Sequence, residues 1–380
     1  MKTKIYLDYA AATPLDKQVL AVMKPYFIKY FYNPSADYDA ARQIRQQINQ
    51  ARSKVAYWLG CKPAEIVFTA GGTEANNLAI HGVMRRYPSG NLVISAVEHE
   101  SVTAPAHNYQ YKELPVTQDG RIDLNKVETA IDDQTVLVSV MYANNEIGTV
   151  QPIKQLAAKL AAIRQSRQAS GNQLPLILHT DACQAGNYLD LHVARLGVDL
   201  MTINGGKVYG PKQSGALFVS RSVSLKPLVD GGGQERNLRS GTENVVNDIG
   251  LSTALDLAQQ RREVETVRTA LLSKQFIDLA LRELKQVRIN GSSKYRLPNN
   301  VHLTFPGHDN ERLIIGLDQS GIMAAAGSAC SAAKEEPSHV LAAIGLSGAD
   351  ARSSLRFSLG RETSVDDIVL TVKALKKLLG

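Results

Sequence analysis

Cysteine is scarce in this chain: among 380 residues there are three, Cys61, Cys183 and Cys330. An odd count without metal-ligand spacing excludes a disulfide framework and a thiolate-rich metal centre, and it fits a reducing cytoplasm. Aromatic residues are sparse too, at 6% with a single tryptophan, so the core must rest on aliphatic side chains. No apolar run is long enough to span a bilayer, and the opening MKTKIYLDYAAATPL lacks the continuous apolar stretch of a secretory signal. The formal net charge is only +7 and no block of like charge occurs, so neither nucleic acid nor a membrane is indicated as a partner. Fixed-period repeats and low-complexity tracts are absent as well.

What is present is an alternation of periods. Residues 4–13 read as a short extended segment ending at Thr13-Pro14. Helical spacing over about 37–59 puts Ile44, Ile48, Ala51, Val55 and Leu59 on one side and stops at Gly60. Apolar runs at 66–69, 92–95, 135–141, 174–178, 200–203 and 215–219 are interleaved with helical patterns at 74–86, 124–131 and 152–168. This predicts an α/β fold with a mostly parallel sheet covered on both faces. In such sheets ligands gather at the carboxyl ends of the strands. A helical stretch at 245–284 is broad enough to bridge two domains. After it, strands at 287–289, 300–305 and 355–359, with helices at 311–317 and 365–379, predict a smaller α+β domain. The expected division is a large domain over 14–257 and a small one made of 1–13 and 258–380.

Polar groups fall at successive predicted strand ends. Ala70-Gly-Gly72-Thr73-Glu is a glycine turn into a helix, suited to an anion cradle of backbone N–H groups and the Thr73 hydroxyl, or simply to a tight turn. It is neither a Walker loop nor a dinucleotide fingerprint. His99 could stack on a flat ring or shuttle a proton, or be a satisfied structural histidine. Asn145 offers a donor and an acceptor, or a turn. Asp181 could stay ionised against a protonated pyridine nitrogen, with Gln184 reaching a ring hydroxyl, or cap a helix. Lys207, in Asn204-Gly-Gly206-Lys-Val-Tyr-Gly-Pro, sits on a strand-to-loop corner, where lost hydration would make its amine a nucleophile toward aldehydes; a hairpin turn with a solvated lysine is the alternative. Together, an anion cup, a ring face, a carboxylate and an amine are what pyridoxal phosphate requires. Cys330, among small residues in a polar loop, reads as an exposed, reactive thiol, a small buried hydrophobe being the alternative.

These motifs resemble the cysteine desulfurases of the NifS/IscS-like type within the class V aminotransferases. The resemblance covers nearly the whole chain, through YLDYAAATP, GGTEANN, EHES, NNEIGTVQPI, HTDACQA, KVYGPK, GGGQERNLRSGTEN, GSACS and SLRFSLGR. It implies a type I pyridoxal-phosphate fold and a homodimer. It implies that Lys207 condenses with the cofactor aldehyde and that His99 stacks on the ring. Asp181 then faces the ring nitrogen, and Gln184 the ring hydroxyl. Gly72 and Thr73 hold phosphate, with Thr242 reaching in from the other subunit. Asn145 contacts cofactor and substrate, and Arg356 pairs with the substrate carboxylate. Cys330 takes the sulfur of L-cysteine as a persulfide, leaving L-alanine, for delivery to an iron–sulfur scaffold or a tRNA-thiolation protein. Asn204 and Gly206 stand where the family usually has a phosphate-binding serine and histidine; Asn204 is expected to replace the serine donor and Gly206 to offer its backbone N–H, so the cup should lean more on Thr73, Thr242 and backbone amides. Tyr38 and Ala11 also depart from the family pattern. A selenocysteine lyase or other lyase on the same cofactor, or a dimeric scaffold with a degenerate pocket, are the competing readings.

Overall fold

The computed structural model describes residues 4–327 and 338–380. Its strands, in chain order, are β1 Ile5–Tyr6, β2 Ile66–Thr69, β3 Asn91–Ser95, β4 Tyr111–Leu114, β5 Thr135–Ser139, β6 Ile177–Asp181, β7 Leu200–Asn204, β8 Gly215–Val219, β9 Arg288–Ile289, β10 Asn300–Thr304, β11 Ile322–Met323 and β12 Ser354–Ser358. Seven of them form the main sheet in the order β2-β8-β7-β6-β5-β3-β4. The run from β4 to β7 is parallel, and β8 lies antiparallel between β7 and β2.

Continuous apolar strands mean that both faces are covered. Phe68, Val93, Val138, Leu178 and Met201 pack into one core, while Val67, Leu92, Leu137, Ile177 and Leu200 pack into another on the opposite face. The predicted helix near 37–59 spans Asp39–Leu59, burying Ile44, Ile48, Ala51, Val55 and Leu59. It ends at Gly60 with φ 63°, the left-handed conformation glycine adopts without strain.

Three expectations shift. The strand placed at 174–178 begins at Ile177 and runs on to Asp181, because Pro175 has no N–H for a central ladder. The helix at 124–131 is a 3₁₀ turn, Leu124–Lys126, followed by the short helix Val127–Ala130. The edge strand β4 was not predicted, since Tyr111, Lys112 and Glu113 are exposed and give no apolar run. A charged edge of this kind also resists pairing with other chains.

The helix Val245–Glu283 contributes Ile249, Leu251 and Leu255 to the first core. Its later part gives Leu272, Phe276 and Ala280 to a separate core under the antiparallel sheet β12-β10-β9. β1 pairs in parallel with β11, and Leu7 is fully buried in that second core. The N-terminal strand therefore anchors residues 8–13 as they cross toward the carboxyl ends of the main sheet. Among the described residues no helix is long and apolar enough to cross a membrane.

Candidate active site

Lys207 closes the turn Gly205–Lys207, directly after β7. Asn204 caps that turn by accepting the Gly206 N–H at 3.0 Å. The Lys207 amine donates to the carbonyls of Ala10 and Ala11, at 2.8 and 2.5 Å, so the N-terminal segment lies against it. Thr13 holds that segment in place, donating to the Gly206 carbonyl and accepting from the Tyr209 N–H. Burial lowers the pKa of Lys207, and the positive charge of Arg356 acts in the same direction against the carboxylates of Asp8 and Asp181. An amine placed this way keeps its lone pair available closer to neutral pH than a solvated lysine does.

Asp181 is the last residue of β6 and is buried. Its Oδ1 accepts the Cys183 N–H at 2.9 Å and its Oδ2 accepts from Asn76 Nδ2 at 2.7 Å. The carboxylate thus has fixed donors on both oxygens while still lining the cavity. Burial and the neighbouring Asp181 push the Cys183 thiol well up, so it stays protonated. His99 caps the helix Glu100–Ala106 through Nδ1. The residue before it, Glu98, is fully buried, accepting from Ser95 Oγ at 2.5 Å and from the Met141 N–H at 2.7 Å. Burial raises that carboxyl to about 8, so it is largely protonated at neutral pH.

The helix Gly72–Arg86 starts at the sheet's carboxyl edge, and its N-terminus faces the same space. A Cβ on Gly72 would lie 2.6 Å from Cys183 Sγ and 3.3 Å from Asn204 Nδ2, so only glycine lets this N-terminus approach so closely. At Gly206 an added Cβ would meet nothing nearer than Asn204 Oδ1 at 3.4 Å, leaving open space beside the backbone.

One cavity of about 170 Å³ brings together Lys207, His99, Asp181, Gln184, Asn145 and Arg356. Gly72, Thr73 and Asn204 line it as well, and these three with Lys207 are shared with an adjoining cavity that reaches Gly206 and Lys212. Arg356 on β12 is 1% exposed. It donates to Asp8 Oδ1 at 2.7 Å and to the Asn145 carbonyl at 2.9 Å. Gln184 donates to the Ala10 carbonyl at 3.0 Å. Thr242 is exposed and lines neither cavity of this chain. Cys330 lies outside the described residues. Just after that gap, Ser338 donates to Glu146 Oε2 at 2.6 Å and His339 bonds the Glu98 carbonyl at 2.9 Å, next to Asn145 and His99.

The sequence reading missed Asp8, Asn76, Ser101 and Cys183 as members of this site. Asn76 and Ser101 stand inside the quoted GGTEANN and EHES motifs, but only the fold puts their side chains together.

A half-buried amine of lowered basicity, a carboxyl group with a donor on each oxygen and a helix N-terminus opened by glycine, all at the carboxyl ends of a parallel sheet, define the class: a pyridoxal-phosphate enzyme of fold type I. The donor set fits the group, with Gly72 clearing the phosphate end and Asp181 held ready for a protonated ring nitrogen. More particularly, the chain belongs to the aminotransferase class-V family, whose profile matches residues 5–370. It is 39% identical to the cysteine desulfurase IscS of Dictyoglomus turgidum, across all of this chain and 95% of that relative. A solved NifS-like protein superposes with TM-score 0.89 at 27% identity, covering 99% of both chains. Another solved structure, SspA in complex with cysteine, matches with TM-score 0.79 at 35% identity, covering 94% of this chain and 99% of the other.

Proposed function

We infer that this protein is a cysteine desulfurase: it converts L-cysteine to L-alanine and passes the sulfur to its own Cys330. The observation that carries the reading is the half-buried Lys207 amine, in one cavity with Asp181, His99 and Arg356. Pyridoxal phosphate supplies there an aldehyde that condenses with amines and a ring that withdraws electrons from the substrate's Cα. Gly72, Thr73 and the Asn204 amide nitrogen would hold the phosphate, the Gly206 N–H being already given to Asn204. With the cofactor bound, Asp181 would pair with the ring nitrogen, Gln184 would bond the ring hydroxyl and His99 would stack on the ring. Arg356 takes the cysteine carboxylate with a planar fork, exchanging part of its pairing with Asp8, and Asn145 helps to orient the substrate. Lys207 Nζ is the base for the substrate Cα proton. The Cys330 thiolate attacks the substrate sulfur; the S–S bond forms as the Cβ–S bond breaks, the electron pair leaves with the carbon, which takes up a proton on the way to alanine, and the sulfur stays as a persulfide on Cys330.

The active unit is a homodimer in which Thr242 completes the partner's phosphate cup. Its exposure here and the exposed Phe27, Ile28 and Phe31 support that reading. The chain divides into 14–257 and a small domain of 1–13 with 258–380. The sulfur acceptor is an iron–sulfur scaffold or a tRNA-thiolation protein, in the cytoplasm.

Incubation of the purified protein with cofactor and L-cysteine tests this. Alanine should accumulate, the Cys330 peptide should gain the mass of one sulfur atom, and Cys330→Ala should abolish sulfur transfer. Absence of both products from protein that carries the cofactor would sink the reading.

A further inference from the structure

Asp181 and His99 approach the cavity from different elements, yet two other side chains join them. Asn76, on the helix Gly72–Arg86, is fully buried. Its Nδ2 donates to Asp181 Oδ2 at 2.7 Å and to Ser101 Oγ at 2.8 Å, which uses both amide hydrogens. A flipped amide would set Oδ1 against the Asp181 carboxylate, so the orientation is decided by charge. Ser101 Oγ, accepting from Asn76, has a single proton to give, and His99 Nδ1 lies 2.8 Å away. The same Nδ1 already accepts the Ser101 backbone N–H at 3.0 Å. Two donors on Nδ1 leave it no room for a proton of its own, so the ring proton sits on Nε2. That N–H has no partner among the described residues and is left to the cavity that His99 lines.

We propose that Asn76 and Ser101 are positioning residues that join Asp181 and His99 into one unit, hydrogen-bonded in a single direction, which presents His99 to the cavity as an Nε2–H donor. The proposal deepens the desulfurase reading and rests on it for the identity of the group that His99 and Asp181 face. The chain of donors runs from Asn76 both ways: toward the carboxylate that meets the ring nitrogen, and through Ser101 toward the imidazole on the ring face. Each hydrogen bond along it has its direction set by its neighbour, while Asn76 Oδ1 is buried without a partner. His99 therefore faces the cavity as a hydrogen-bond donor at Nε2, with its ring plane set by the helix cap. Among the described residues Asn76 has no hydrogen bond to His99, so the hydrogen-bonded route between them runs through the Ser101 hydroxyl.

The test reads His99 directly in the full-length chain labelled at histidine nitrogen, with its signal assigned by loss in His99→Gln. The parent should show a protonated Nε2 and a bare, hydrogen-bonded Nδ1. Asn76→Ala should shift the Nδ1 resonance although it does not contact the ring. Ser101→Ala should shift it as well and make a further Asn76→Ala silent there, while Ser101→Thr restores the parent signal. In the cofactor-loaded enzyme, Asn76→Ala and Ser101→Ala should each lower kcat about tenfold with KM within about twofold, and the double variant should lose less than the product. A parent proton on Nδ1, or an unmoved Nδ1 signal in folded Asn76→Ala or Ser101→Ala, overturns the proposal. The nitrogen signals need no turnover. A chain that shows the coupled shift yet makes no alanine refutes the desulfurase reading and leaves the relay standing.

Discussion

Gly72→Ala tests whether the phosphate end of the cavity depends on close backbone approach. The added Cβ would stand 2.6 Å from Cys183 Sγ, whereas unstrained contacts between such atoms begin at about 3.5 Å. Relief requires a displacement of roughly 1 Å, either of Cys183 or of the helix N-terminus. Overpacking of this kind costs about 1–3 kcal/mol. At about 1.4 kcal/mol per tenfold, cofactor affinity should fall roughly 5- to 100-fold if the N–H groups move away from the phosphate. The measurement is a titration of cofactor-free protein with pyridoxal phosphate, following the visible band, beside a thermal melt without cofactor. Cys183→Ala in the Gly72→Ala background should recover most of the loss, because the sulfur is the nearest obstacle. Parent-like binding and melting by Gly72→Ala, or no recovery in the double variant, would refute the reasoning.

Acid should weaken the fold through two histidines. Burial holds His302 at about 3 and His179 at about 4, both below the ordinary 6.5. Below pH ~6.5 the unfolded chain therefore binds protons that the folded chain does not, so stability falls as pH drops toward 4, by at most about 2.7 kcal/mol per unit from the pair. Thermal midpoints measured across that range should show this limb, and His302→Gln should flatten it; a limb unchanged in the variant contradicts the assignment. Arg356→Lys should raise KM for cysteine at least about tenfold, since a point charge replaces a two-point fork. Arg356→Met should also destabilise the fold, toward the lower end of about 3–5 kcal/mol because Asp8 keeps some solvent contact. Equal steady-state constants in Arg356→Lys and the parent would remove Arg356 from substrate binding.

Much of the site was legible as an order of motifs. Strand-end positions singled out Lys207, Asp181, Asn145 and His99 because a parallel sheet brings its carboxyl ends to one edge, and each buried strand reads as a short apolar run. Where the pattern lacked contrast it failed: β4 is exposed and polar, and Pro175 moved the start of β6. Asn204 was expected to offer its side chain to phosphate; in the fold, its oxygen is committed to the Gly206 N–H, leaving the amide nitrogen for that role.

The sequence alone determined the layered architecture and the family and singled out Lys207 as the candidate amine, since local periodicity and short glycine motifs are properties of neighbouring residues. It could not show that Asp8 would pair with Arg356 across the length of the chain, that the Ala10 and Ala11 carbonyls would hold Lys207, or that Asn76 and Ser101 would join Asp181 to His99. Those pairings join residues far apart in the chain, and their strength depends on burial and on donor direction. Both exist only once the sheet, the two helices and the N-terminal segment have closed around a common space.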